Sequence, residues 1–112
     1  MNEFIEYLDS MIAGCKEDIA RLSAEGRKDD ADFKKVRANI YEVVKTVTLA
    51  LSSRPGAGID AVRAQFARFK AAWGGALLKA KEHGDVAAAA VEEIKLDALE
   101  DAMAHFEGVT KA

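Results

Sequence analysis

Residues 59–80 read IDAVRAQFARFKAAWGGALLKA, and apolar side chains recur in this stretch at spacings of three and four. The positions that carry them are Ile59, Val62, Phe66, Phe69, Trp73, Leu77 and Ala80. A mean spacing of about 3.5 residues matches the period of an α-helix, so the stretch predicts a helix with one apolar stripe. Such a helix is stable only when its stripe is buried against other helices.

Three further stretches carry the same pattern, so the sequence predicts four helices. The first stripe contains Leu8, Ile12, Cys15, Ile19 and Leu22. The second stripe contains Phe33, Val36, Ile40, Val43 and Val47. The fourth stripe is thinner and richer in alanine, and it contains Val91, Ile94, Ala98 and Ala102.

Turn-forming residues separate these stretches. Gly26 and Gly84 suit the left-handed position that follows a helix, and residues 52–58, SSRPGAG, have the composition of a loop. The first predicted helix covers roughly residues 2–24 and the third covers residues 59–83. The second begins at an aspartate cap within residues 29–32 and ends at about residue 51, and the fourth begins after an Asp85 cap and ends at about residue 106.

Residues 43–49, VVKTVTL, are β-branched and compatible with a strand. The helical stripe continues through them and no second strand is available for pairing, so a helix is favoured. Because the connecting loops are short, sequential helices should be antiparallel neighbours. The sequence therefore predicts an all-α fold, a four-helix up-down-up-down antiparallel bundle built from two helical hairpins, with residues 1–112 forming a single domain.

Composition limits the classes of function. The net charge is −3 and the isoelectric point is about 5.4, which does not favour binding to DNA or RNA. The chain has no apolar run long enough to cross a membrane and no recognisable leader, so we expect a cytoplasmic protein. Its one cysteine, Cys15, lies in the first stripe and is expected in the core.

Charge is distributed unevenly among the four predicted helices. The first and fourth helices carry an excess of acidic residues, whereas the second and third carry an excess of basic residues. In a sequential bundle this arrangement predicts one basic side and one acidic side, which could steer a partner or a second copy of the chain. A well-solvated mixture of charges is the simpler alternative.

No motif predicts catalysis, a cofactor or a metal. Residues 56–61, GAGIDA, fit G-x-G-x-x-A, but no second strand follows to complete a nucleotide-binding unit. The two histidines, His83 and His105, lack the glutamate three residues earlier that a di-iron bundle requires. Each instead falls near the predicted end of a helix, where it would complement the helix dipole.

Trp73, Gly74 and Gly75 form the most unusual local sequence. Two glycines inside a helix cost roughly 1 kcal/mol each relative to alanine, so some favourable packing should compensate. We expect Trp73 to be a buried packing centre whose glycines allow a neighbouring helix to approach closely. A small-molecule pocket beside the indole is the alternative.

The end of the second helix is apolar on more than one face. Val44, Leu49 and Leu51 point away from the predicted core stripe, and Thr48 lies among them. Apolar residues outside the stripe predict a contact with another chain. Our first hypothesis is therefore a non-enzymatic protein–protein interaction or structural protein, forming a homodimer through Val44, Thr48, Leu49 and Leu51. A small-molecule-binding or regulatory domain with a pocket near Trp73 is the alternative.

Overall fold

The computed structural model describes residues 1–111 and contains the four helices that the sequence pattern predicts. They are α1 (Asn2–Ala24), α2 (Lys28–Ser52), α3 (Gly58–Glu82) and α4 (Val86–Thr110). The protein is 88% helical, and the described residues contain no strand. The β-branched run at 43–49 lies inside α2, so the helical prediction for it is confirmed.

The loops between α1 and α2 and between α3 and α4 have the same backbone structure. Each contains three residues, and the glycines Gly26 and Gly84 adopt positive φ angles of 76° and 65°. In each loop the N–H of the residue after the glycine donates to the carbonyl five residues earlier, at 2.9 Å and 2.8 Å. This bond satisfies a carbonyl at the end of the preceding helix, and only glycine tolerates the required φ easily.

The helix starts agree with the sequence prediction only in part. The side chain of Asp85 accepts a hydrogen bond from the backbone N–H of Ala88 at 3.0 Å, so Asp85 caps α4 as predicted. The cap of α2 is instead Arg27, which makes no side-chain capping bond. Asp29 and Asp30 lie inside the first turn of α2, where their carboxylates still favour the positive end of the helix dipole.

The two hairpins pack as a flattened bundle in which α2 and α4 meet across the shorter diagonal. α2 packs against each of the other three helices, and α1 and α3 lie across the longer diagonal, where they meet only through side chains. The molecule extends 47 × 35 × 20 Å and has a radius of gyration of 15.2 Å. A compact domain of this length would have a radius of about 13 Å, so the bundle is elongated. No helix within residues 1–111 has the length and apolarity that a membrane span requires.

The core is concentrated at the end where α2 connects to α3. Phe106 is fully buried there and meets Phe4 and Phe66 edge to face, with ring centroids 5.2 and 5.3 Å apart. Such edge-to-face pairs stabilise beyond their buried area. Other residues of this core cluster are Leu8, Ile12, Cys15, Ala38, Ile40, Tyr41, Val44, Val62, Ala98, Leu99 and Ala102.

The predicted stripe of α2 was wrong by about one residue. Val44 and Thr48 are completely buried, whereas Val36, Val43 and Val47 are only partly buried and Phe33 is 38% exposed. Because α2 contacts three helices, its buried arc is wider than a two-helix contact requires and is turned towards α1 and α4. The Thr48 hydroxyl, placed in this core, donates to the Val44 carbonyl at 2.7 Å. A β-branched residue with a satisfied hydroxyl can therefore be buried there.

Candidate interaction surfaces

Two of the four residues predicted to contact another chain are unavailable in the folded protein. Val44 and Thr48 are covered by the protein's own core, and Leu51 is partly buried against it. Only Leu49, with 53% of its surface exposed, remains open to a partner. The prediction of an interface at the end of α2 therefore depends on Leu49.

Trp73 lies at the margin of the core and not at its centre. Its ring stacks on Phe69 with centroids 4.9 Å apart, and the Lys95 ammonium lies 5.8 Å from the ring centroid. Lys95 also pairs with Glu92 at 3.2 Å, while the second carboxylate oxygen of Glu92 is buried and accepts no hydrogen bond from the described residues. The half-buried indole is thus covered on one side by an aromatic ring and approached by a cation.

The expectation of a close helix approach at Gly74 and Gly75 was wrong. A Cβ atom added at either position would meet no other atom within 4 Å. The close approach occurs instead at Gly58, where a Cβ would lie 2.8 Å from the carbonyl carbon of Ser52. A glycine inside a helix costs about 1 kcal/mol relative to alanine. At Gly75 no close packing within the chain offsets this cost.

The tip of the second hairpin exposes large apolar side chains. Leu78 and Val86 are 59% and 81% exposed on either side of the α3–α4 loop. Next to Val86, Ala89 and Ala90 line a shallow hollow of about 330 Å³, whose rim also carries Lys81, Asp85 and Glu93. We call Leu78, Val86, Ala89 and Ala90 the tip surface; none of the four belongs to the core cluster. Contiguous apolar patches on a surface mark interaction sites, whereas single exposed apolar residues are ordinary on a protein surface.

An open cleft of about 380 Å³ lies at the tip of the first hairpin and is lined in part by cationic side chains. Its lining consists of Arg21, Leu22, Arg27, Asp30, Phe33, Lys34, Arg37 and Ile94. Each of its four cations already has a carboxylate partner within 4.0 Å. An anion would bind here only by replacing one of those carboxylates, so the cleft has little unbalanced charge with which to attract it.

The predicted basic side formed by α2 and α3 is reduced by ion pairs within the bundle. Three of the five cations of α2 pair with acids of α1 and α4, in the pairs Lys34–Asp18, Lys45–Asp9 and Arg37–Asp97, at 3.2, 2.6 and 2.5 Å. In α3, Arg63 binds Glu107 of α4 at 2.7 Å, and this hydrogen bond lowers the pKa of the Glu107 carboxyl. The packing of α2 against α1 and α4 brings these cations next to acids, so α2 contributes little to an exposed basic side.

A polar cluster joins α1, α2 and α4. The Tyr7 hydroxyl donates to Asp101, and the Tyr41 hydroxyl donates to the same carboxylate at 2.9 Å. The Arg37 guanidinium donates to the Tyr41 oxygen at 3.0 Å, and His105 stacks on Tyr7 with centroids 3.7 Å apart. His105 was therefore placed wrongly at a helix end, because α4 continues to Thr110. These residues come from three helices, so no local spacing in the sequence identifies the cluster.

The protonation states of this cluster are those of a structural network. The hydrogen bond from Tyr7 lowers the pKa of Asp101, although partial burial opposes that shift. Burial and the bond to Asp101 raise the pKa of Tyr41 to about 12. At neutral pH the carboxylate is charged and the phenol is protonated, whereas a general acid or base needs a pKa near the working pH. The cluster is therefore suited to fastening three helices together.

His83 is the one histidine that occupies a helix end as predicted. It is the C-terminal cap residue of α3, and its Nδ1 lies 2.9 Å from the carbonyl of Lys79. The same carbonyl accepts the backbone N–H of His83 at 3.1 Å, so the ring adds a second contact to a carbonyl in the last turn of α3. Among residues 1–111, no group of three histidine, cysteine, aspartate or glutamate side chains converges as a metal site would require.

Comparison of the chain with protein-family models, with curated proteins and with solved structures finds no significant match.

Proposed function

We propose that the protein is a non-enzymatic interaction protein that assembles with copies of itself through its outer helical surfaces. The observation that carries this proposal is the tip surface, where Leu78 and Val86 are 59% and 81% exposed and lie outside the core cluster. Covering such side chains removes apolar surface from water and favours association.

The size and shape of the bundle support the same proposal. The core cluster fills one end of the elongated molecule, and the tip of the second hairpin extends beyond it. Apolar side chains of that tip, among them Leu77, Val91 and Ile94, are only partly buried. A second chain could cover them without any rearrangement of the core.

Sedimentation equilibrium from low to high micromolar concentration tests the proposal. The wild type should exceed the mass of one chain, and Leu78→Glu and Val86→Glu should reduce that mass, because a carboxylate resists burial in an apolar contact. Ala104→Glu introduces the same charge at an exposed position of α4 far from the tip and should have no effect.

Two results would contradict the proposal. A wild type that remains monomeric at high micromolar concentration overturns self-assembly. If Leu49→Glu abolishes association and Leu78→Glu does not, the contact is at the end of α2 and not at the tip surface.

The alternative of a small-molecule pocket beside Trp73 has weaker support. The clefts described above are lined by other residues, and the indole is occupied by Phe69 and approached by Lys95. A ligand of the indole would have to displace one of those side chains.

A further inference from the structure

Two outward stripes of the bundle have the same spacing and opposite charge. On α1 the acidic stripe consists of Glu6, Ser10, Ala13 and Glu17, and on α3 the basic stripe consists of Arg68, Ala72, Gly75 and Lys79. Each has a charged residue at both ends and two small residues between, at positions i, i+4, i+7 and i+11. Eleven residues correspond to about three helical turns, so all four positions of a stripe share one face, with its charges about 16 Å apart.

Both stripes are open to a partner. All eight residues are exposed. Within residues 1–111, neither Glu6 nor Glu17 has a cation within 4.0 Å, and neither Arg68 nor Lys79 has a carboxylate within that distance. The sequence around each stripe has a net charge of the same sign, since residues 61–81 contain five basic residues and no acid, and residues 1–18 contain five acids and one base, Lys16.

The small residues between the charges allow two helices to approach closely. If the acidic stripe of one copy is laid against the basic stripe of another, Ala13 meets Ala72 and Gly75. No large side chain then separates the two backbones, and the helix axes can approach to about 8 Å. Gly75 has open space around it in one chain, and Gly14, beside the acidic stripe, has open space as well. A helix from another copy would occupy the space that each chain leaves empty.

From this match we infer that the acidic stripe of one copy packs against the basic stripe of the next. α1 and α3 lie across the longer diagonal of the bundle, so the two stripes belong to separate surfaces of the molecule. A single copy therefore offers one stripe to each neighbour, and the contact is head to tail. Such contacts produce rings or open chains rather than a closed two-fold dimer. This inference depends on the proposed self-assembly and adds to it a contact that lies outside the tip surface.

Paired charge reversals test the inference. The first variant carries Glu6→Lys and Glu17→Lys, and the second carries Arg68→Glu and Lys79→Glu. Each places like charges opposite each other in its own assembly, so the association constant of each variant should fall about tenfold or more. Mixing the two variants should restore assembly, because every contact between unlike copies again joins opposite charges. A chain that carries all four reversals should also assemble with itself.

Two controls separate this geometry from general effects of charge. Glu100→Lys and Lys28→Glu alter exposed charges outside the stripes and should leave association near the wild-type level. Circular dichroism checks that every variant remains folded, which is expected because all altered positions are exposed. Raising the salt concentration to about 1 M shortens the Debye length to about 3 Å and should weaken wild-type assembly.

The results distinguish this contact from self-assembly in general. If the wild type assembles but the reversal variants assemble equally well, or their mixture does not recover, the head-to-tail contact is wrong and the proposed function stands. If the wild type is monomeric at every concentration, self-assembly and its geometry are both overturned.

Discussion

Replacing Gly75 with alanine should stabilise the isolated chain, although the sequence predicts that a neighbouring helix packs closely against this glycine. Gly75 lies in the interior of α3, and an added methyl group would meet nothing within 4 Å. Alanine is better than glycine at an exposed helix position by about 1 kcal/mol. The entropy of unfolding of 112 residues is about 0.24 kcal/mol/K, so this gain raises the melting temperature by about 4 °C.

The measurement is thermal unfolding followed by circular dichroism, on dilute protein in high salt so that assembly does not contribute. Gly74→Ala should add a similar increment, because its Cβ position is also empty. Gly58→Ala is the matched control with the opposite sign, since its methyl group would collide with the backbone of Ser52. If Gly75→Ala lowers the melting temperature under these conditions, a neighbour must occupy the space beside Gly75 and the packing described for α3 is wrong.

Four further predictions concern the core, the polar cluster and the cysteine. Phe106→Ala should destabilise the fold by about 3–5 kcal/mol in chemical denaturation. Trp73→Ala should lower the free energy of unfolding by less, because the indole is only partly buried. Equal losses would place Trp73 in the core. The charged Asp101 carboxylate stabilises the folded state, and this effect is fully present above about pH 4 and disappears as pH falls through the lowered pKa of Asp101. Asp101→Asn removes the effect, so the difference in melting temperature between wild type and variant should shrink in acid. The same cluster should lose stability above about pH 10, because Tyr41 ionises earlier in the unfolded chain than in the folded one, where its pKa is about 12. Cys15 is 4% exposed and burial raises its thiol pKa, so a thiol reagent should label it at the rate of unfolding; immediate labelling of the native protein would contradict its place in the core.

The architecture could be predicted from the sequence because helix periodicity and turn chemistry are local. The stripe of α3 and the glycines at 26 and 84 define two hairpins without knowledge of what they pack against. The face of α2 could not be predicted in the same way. Both Val43 and Val44 are apolar, and only the positions of three neighbouring helices decide that Val44 is the buried one.

The surfaces were harder to predict than the helices, for a related reason. Whether Gly75 touches another helix depends on the angle between α3 and its neighbours, which the sequence does not specify. The charge prediction failed for α2 because Lys34 and Lys45 find partners on α1. The sequence gives the number of charged residues on each helix, but only the structure shows which of them form ion pairs and which are left unpaired on the surface.

Because the aromatic core lies at one end of the bundle, the backbone amides should not exchange their hydrogens uniformly. Residues around Phe4, Phe66 and Phe106 should exchange only through global unfolding. The turns beside Gly26 and Gly84 contain few fully buried side chains and should open on their own, at a lower free energy. A gradient of exchange rates along each helix would then record the position of the core, and the two hairpin tips would be the parts of the molecule that most readily adapt their shape to a neighbour.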